Sequence, residues 1–401
     1  MRRFSRTLYG LAALAAGLVL ETAHAQAPAS PLLARGAALA ALGGCRGCHT
    51  VKGGPSYAGG GVVSTPFGVI YGTNITPDRD TGIGGWTLAD FDKAVRRGLR
   101  PSGQPLYPAM PFDHYAALTD ADVGALYAFI MTRPAVRAKP PPNRLIPPLG
   151  FRPLLHVWRA FFFRPTPGPA DRGAYLVQAL GHCGACHTPH GMLGQEHQRQ
   201  ALSGGWSEGW YAPALNAASP ASSAWTEERL YAYLTTGLDT DHAAAAGPMG
   251  EVTRAVSQAP EADRRAIAVY LAETMRGAAP LQPPVLDKET AAAAAHPRAA
   301  ALFEGACAAC HTPGAAMMLQ GRPGLERGSP LWEADPRDTI KIVLDGLEPP
   351  IGESGPFMPA FADSFRDEDL AELTAYLRIR YTDKPPWKDL PAAVRKARAA
   401  K

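Results

Sequence analysis

All six cysteines of the 401-residue chain fall in three Cys-x-x-Cys-His units. These are Cys45-Arg46-Gly47-Cys48-His49, Cys183-Gly184-Ala185-Cys186-His187 and Cys307-Ala308-Ala309-Cys310-His311. None is left over for a staple between distant segments, and a disulfide across two residues is disfavoured in each unit. The chain around them repeats as well. A short Ala-rich helix pattern, opened by Arg35-Gly36, Arg172-Gly173 and Arg298-Ala299, delivers the chain into each unit. Further on, amphipathic segments end at Gly98, Gly237 and Gly346, positions suited to a left-handed helix cap. From each of these glycines a methionine follows at an offset of 12: Met110, Met249 and Met358. Each copy closes with an acid-rich helix start ending in Asp122, Asp263 or Asp369, where carboxylates favour the positive helix end. Phe129, Tyr270 and Tyr376 stand 7 residues beyond those acids, two turns on, and are expected to pack on the leading helix.

Two thiols one turn apart with an imidazole beside the second form the unit of c-type haem attachment. The thiols of Cys45, Cys48, Cys183, Cys186, Cys307 and Cys310 become thioethers, and His49, His187 and His311 become proximal iron ligands. A four-ligand zinc site needs its pairs close together, whereas these lie over a hundred residues apart. A thioredoxin-like dithiol explains one unit but not three, each with its own histidine. At the sixth iron position a thioether gives a closed iron suited to electron transfer. Met110, Met249 and Met358 are the candidates, each in a Pro-bearing loop that keeps the segment out of a helix. His242 competes in the second copy, but nothing occupies its place in the other two, which favours Met249. Met317 and Met318 follow the third unit too closely, and Met131, Met192 and Met275 have no repeat partner. Trp86, Trp225 and Trp332 stand near the starts of the amphipathic segments, as porphyrin neighbours or as plain core.

Arg2, Arg3 and Arg6, an apolar run from Leu8 to Leu20 and Ala23-His24-Ala25 read as a secretory signal peptide cleaved before Gln26. The formal charge of +4, half of it from Arg2, Arg3 and Arg6 against Glu21, excludes a concentrated basic nucleic-acid surface. Glycine (41) and proline (39) are abundant in a chain that is 46% hydrophobic, which implies helices joined by long, turn-rich loops. Pro-rich connectors give the expected division: signal peptide 1–25, domains 26–137, 171–277 and 297–384, linkers 138–170 and 278–296, and a tail 385–401. Gly150 to Pro165 holds an aromatic, Arg-bearing stretch that reads as interfacial, at a membrane or a partner, or as a buried linker.

These residues resemble the triple-haem cytochrome c subunit of periplasmic membrane-associated dehydrogenases, which serves alcohol, aldehyde and gluconate dehydrogenases and molybdenum hydroxylases. The resemblance covers almost the whole mature chain. It rests on Gly72-Thr73-Asn74-Ile75-Thr76-Pro77-Asp78, Leu106-Tyr107-Pro108-Ala109-Met110-Pro111, Cys186-His187-Thr188-Pro189, Gly247-Pro248-Met249 and Met358-Pro359-Ala360-Phe361. The family's usual Pro-Arg-Gly after the second unit is Pro189-His190-Gly191 here. The second copy and Lys384-Pro385-Pro386-Trp387 lean towards the cytochromes of molybdenum hydroxylases. The resemblance implies a mostly α fold of three consecutive class I cytochrome c-like domains with long loops. It also implies three covalently bound haem c groups and no active site of the chain's own. The implied partners are a catalytic dehydrogenase subunit (molybdenum, quinoprotein or flavin type) and a membrane quinone or terminal oxidase. The implied location is periplasmic, peripheral on the outer face of the cytoplasmic membrane. A stand-alone multihaem peroxidase or reductase would need an open iron, and a free periplasmic carrier would bind no dehydrogenase.

Overall fold

In the computed structural model residues 30–221, 223–278, 288–354 and 357–399 are described, and the expected signal peptide lies outside them. The first leading helix, Pro31–Leu42, begins one turn before Arg35 because Ser30 accepts the Leu33 N–H at 3.3 Å and Pro31 pre-sets the first helical position. Arg35 therefore sits inside the helix. Its Nε donates to Asp122 at 2.7 Å, on the closing helix Asp120–Met131. The same tie recurs: Arg172 donates to Asp263 at 2.9 Å, and Arg298 pairs with Asp369.

Beside each arginine the two helices cross closely. A Cβ on Gly36 would stand 2.1 Å from the Ala125 carbonyl oxygen, and one on Gly173 would stand 2.3 Å from that of Ala266. The third copy tolerates Ala299, fully buried at this crossing. The aromatics two turns on lie against the leading helix, as their spacing predicts. Phe129 Cβ is 2.6 Å from where a Gly36 Cβ would be, Tyr270 Cβ is 2.7 Å from that of Gly173, and the Tyr376 ring is 5.6 Å from that of Phe303. Arginine, small residue, acid and aromatic are thus one helix crossing written three times.

The amphipathic helices are Leu88–Arg97, Glu227–Thr236 and Arg337–Asp345. Thr87 and Asp90 cap the first reciprocally, and Thr226 caps the second. Gly98 and Gly237 take the left-handed cap expected of them. Gly346 differs, with φ 70° but an extended ψ of −170°, because the next residue pairs directly with Met358. Small antiparallel hairpins follow the first two units, Val62–Thr65 with Gly68–Tyr71 and Gly205–Ser207 with Trp210–Ala212. Arg144–Leu145 adds a third strand to the former.

The hydrophobic side chains form two cores rather than three. One runs from Leu39 and Phe129 through Leu176 and Leu180 to Leu271, so the first two copies share it. The third copy has its own, around Phe303, Ile340 and Tyr376. Two stretches that the sequence set apart as linker and tail belong to this second core. Helix Glu289–Ala295 buries Ala292, and helix Leu390–Ala399 buries Val394. Both pack on the closing helix Asp367–Tyr381, and each also meets a second helix of the third copy: Glu289–Ala295 meets Pro297–Ala306, and Leu390–Ala399 meets Arg337–Asp345.

Candidate haem sites

Each unit forms one helical turn after its leading helix: Cys45–His49, Gly184–His187 and Ala308–His311. In the second copy the leading segment Tyr175–Leu180 is π-helical, a form common at functional sites. All six cysteines are free thiols; Cys310 is exposed and the others are half-buried. Burial pushes Cys45 and Cys183 up to about 12, and Cys48 and Cys307 up to about 11. A redox dithiol needs the opposite shift.

Burial also holds the His49, His187 and His311 imidazoles below their ordinary pKa, so they are neutral. Nδ1 of His49 donates to the Thr73 carbonyl at 2.6 Å, and Nδ1 of His187 donates to that of Pro213 at 2.6 Å. A carbonyl can only accept, so the proton is on Nδ1 and Nε2 carries the lone pair that a metal requires. Among the described residues His311 has no such carbonyl. The hairpins close over the units where only glycine fits: a Cβ on Gly72 would stand 1.7 Å from the Cys48 oxygen, and one on Gly205 2.7 Å from that of Cys186. Two protonated thiols and a neutral imidazole with an available Nε2 suit a haem held by thioethers and one nitrogen.

Met110 and Met249 are half-buried against the shared core, as are Cys45 and Cys183; Met358 and Cys307 lie against the second core. In the first two copies one loop fold produces the constant offset. Leu106 N–H donates to the Gly98 oxygen at 2.8 Å, and Ala245 N–H donates to that of Gly237, also at 2.8 Å. In the third, Leu347 N–H donates to Met358 oxygen at 2.9 Å, so the same count is reached by a different path. Met249 departs from the expected loop: it lies in the first turn of helix Pro248–Ser257, because proline at the first helical position starts a helix rather than blocking it. His242, the rival ligand, is buried with both nitrogens engaged. Nδ1 meets Asp239 at 2.6 Å, Nε2 meets the Ser223 carbonyl at 3.0 Å, and the ring stacks on Trp225 at 3.4 Å. Trp332 donates its indole N–H to Glu326 at 2.7 Å, a core role.

Two histidines to which the sequence assigns no ligand role, His182 and His114, are hydrogen-bonded beside the first two units. His182, immediately before Cys183, takes the left-handed φ of 37°. Its Nε2 lies 3.4 Å from the oxygen of Gly43, two residues before Cys45, and Tyr115 donates to that same oxygen at 2.6 Å. The first two units are thereby held against each other. Beside them His114 bridges the Gln178 carbonyl (Nδ1, 2.7 Å) and Glu196 (Nε2, 2.6 Å). Burial pulls His114 down, but the Glu196 bond and the Glu196 and Asp113 charges outweigh it, giving about 9. Burial and then the His114 charge push His182 to about 4. The signal was present: His182 stands where the first copy has Gly44 and the third Ala306.

Residues 33–134 and 170–274 match the family model Cytochrome c, and 294–377 match Cytochrome C oxidase, cbb3-type, subunit III. Over 420 residues the chain is 36% identical to the cytochrome c subunit of quinone alcohol dehydrogenase from Gluconacetobacter polyoxogenes, covering 96% of this chain and 88% of that one. The chain belongs to the family of dehydrogenase cytochrome c subunits. It is 37% identical to the gluconate 2-dehydrogenase cytochrome c subunit of Pantoea cypripedii, over 86% of this chain and 85% of that one. It is also 41% identical over 382 residues to a nicotinate dehydrogenase subunit of Pseudomonas putida, covering 92% of itself but 32% of that longer protein. As a dehydrogenase cytochrome c subunit it is an electron-transfer component, not a catalytic one, and its cytochrome c domains imply covalently bound haem c. Among the described residues no helix is long and apolar enough to cross a membrane.

Proposed function

We propose that this cytochrome c subunit carries three haem c groups and conducts electrons from a periplasmic dehydrogenase subunit to a membrane quinone or terminal oxidase. Cys45 with Cys48, Cys183 with Cys186, and Cys307 with Cys310 make the thioether bonds. His49 with Met110, His187 with Met249, and His311 with Met358 would hold the irons. Bound there, haem iron supplies reversible one-electron chemistry. The observation that carries the reading is the fixed tautomer of His49 and His187, whose Nδ1–H is committed to a backbone carbonyl so that Nε2 is left for iron. In each copy the chain's part would be to hold the iron with one imidazole and one thioether, which would leave none of the open positions an enzyme needs. The domains run over 26–137, 171–277 and 297–384, with helices Glu289–Ala295 and Leu390–Ala399 packed onto the last of them, after a signal peptide cleaved before Gln26.

Intact-mass measurement of the exported protein should show a chain beginning at Gln26 plus three haems; two would remove one of the assigned units. Replacing Met249 by Leu should abolish the weak far-red sulfur-to-iron absorption of one ferric haem and open that site to carbon monoxide. If the His242→Ala variant does this instead, the second ligand is misassigned. Co-purification of the native protein with a large dehydrogenase subunit identifies the partner and its substrate; recovery without one would favour a free carrier.

A further inference from the structure

Between Asp122 and Asp171 the chain carries seven basic residues, Arg133 to Arg164, and no carboxylate. Within this stretch helix Leu154–Phe162 rides on the surface with no residue fully buried. Its inner side is fixed to the first two copies. Trp158 donates its indole N–H to the Leu193 carbonyl at 2.9 Å and meets the Phe112 ring edge-on at 6.4 Å, while Arg159 lies over the rings of Phe112 and Phe163. Its outer side is a row at helical spacing: Leu154 is 40% exposed, Val157 54% and Phe161 69%. Phe151, in the turn before it, is 63% exposed, and the loop that anchors Trp158 presents Met192 at 93% and Leu193 at 55%. Arg144 and Arg164, in the same stretch, are exposed, and Arg164 also donates to the Ala160 and Phe163 carbonyls at the end of the helix. On the elements packed beneath, Glu196 is committed to His114, so it does not offset these cations.

We propose that this face lies flat on an anionic lipid bilayer, with Leu154, Val157 and Phe161 in the acyl boundary and the flanking arginines at the headgroups. The inference rests on the membrane acceptor proposed above and assigns the surface that would meet the bilayer. Three observations favour lipid over a protein partner. The helix is raised rather than grooved, its outer row is aliphatic and phenyl, and the 48-residue stretch that carries it holds cations and no carboxylate, with Arg137 alone among its exposed cations paired to an outside acid, Asp80, which complements an anionic surface. Rigid anchoring of the inner face means that the outer row is presented without further ordering, which lowers the cost of adsorption. Phe112, on which the helix rests, is two residues from Met110, so the first copy would face the membrane.

The test is co-sedimentation of the exported holoprotein with phosphatidylcholine vesicles, with and without phosphatidylglycerol. Binding should require the anionic lipid, weaken with salt, and fall about tenfold or more in Val157→Asp and Phe161→Glu. Haem content and melting should be unchanged, because neither side chain is buried. Arg164→Gln should lower binding to anionic vesicles about severalfold. Equal binding by the variants, or binding that ignores lipid charge, overturns the proposal. So does a face that takes up no vesicles but is protected by the dehydrogenase subunit. Any of these failures would leave the haem assignment standing, since that is read from mass and spectrum.

Discussion

The two junctions of this molecule are built from different materials. Between the first and second copies the contact is a continuation of the core: Leu176 and Leu180 are 1% exposed, and Tyr175 donates its phenol to the buried Asp122 at 2.6 Å. The strained His182 and the His114–Glu196 bridge complete the seam beside both Cys-x-x-Cys-His units. Between the second and third copies the contact is polar and partly open. Asp338 accepts the Tyr211 N–H at 3.0 Å, Arg337 lies 4.1 Å from the Trp206 ring centre, Lys341 lies 4.5 Å from that of Trp210, and Arg254 pairs with Glu348. Apolar burial couples the folding of what it joins, whereas screened ion pairs and cation–π contacts position two bodies without merging them. The first two sites therefore share one rigid frame, and the third is docked to it.

The sharpest way to break this contrast is to excavate each core. Leu176→Ala should cost about 2–5 kcal/mol and lower the melting of the first two copies together, leaving the third where it was. Ile340→Ala, equally buried, should do the converse. Calorimetry of the holoprotein would disprove the shared core if Leu176→Ala lowered the melting of the second copy alone while the first copy melted separately and unchanged.

The next effect is pH-dependent. His114 is held at about 9 in the fold, above its ordinary value near 6.5. Its contribution is therefore complete below pH 6.5 and is lost as pH rises through about 9, on the order of 3 kcal/mol across that window. Glu196→Gln should flatten this decline without touching the third copy. Denaturant unfolding of both proteins from pH 6 to 10 measures the difference.

The smallest effects belong to the docked junction. Lys341→Ala should cost below about 1 kcal/mol and leave all melting unchanged, while small-angle scattering broadens as the third copy loosens. Burial raises Asp338 to about 6, so charging it in the fold weakens stability as pH rises from the ordinary aspartate range through 6. Asp338→Asn, which keeps an acceptor for Tyr211, should therefore be neutral or slightly stabilising at pH 7, contrary to the loss expected of a simple salt-bridge deletion.

Much of each copy was legible because it is local. Arg35 with the small residue after it, and Asp122 with an aromatic seven residues on, recur as two local pairs since one helix crossing imposes them, and Gly98 and Gly237 mark helix ends through a conformation that favours glycine. The start at Pro31 and the helical Met249 were misread where proline opens a helix instead of barring one. The shared core, the docking of Leu390–Ala399 and the His114–Glu196 bridge join residues far apart in the chain, and such contacts leave no periodic trace.

By itself the sequence determined the three Cys-x-x-Cys-His units, because the spacing that sets two thiols beside an imidazole is a property of one helical turn. Only the tertiary structure decided how those units are related. Whether two copies merge or merely touch depends on which apolar faces meet. For the same reason, only the fold could fix Trp158 inward and leave Phe161 facing out.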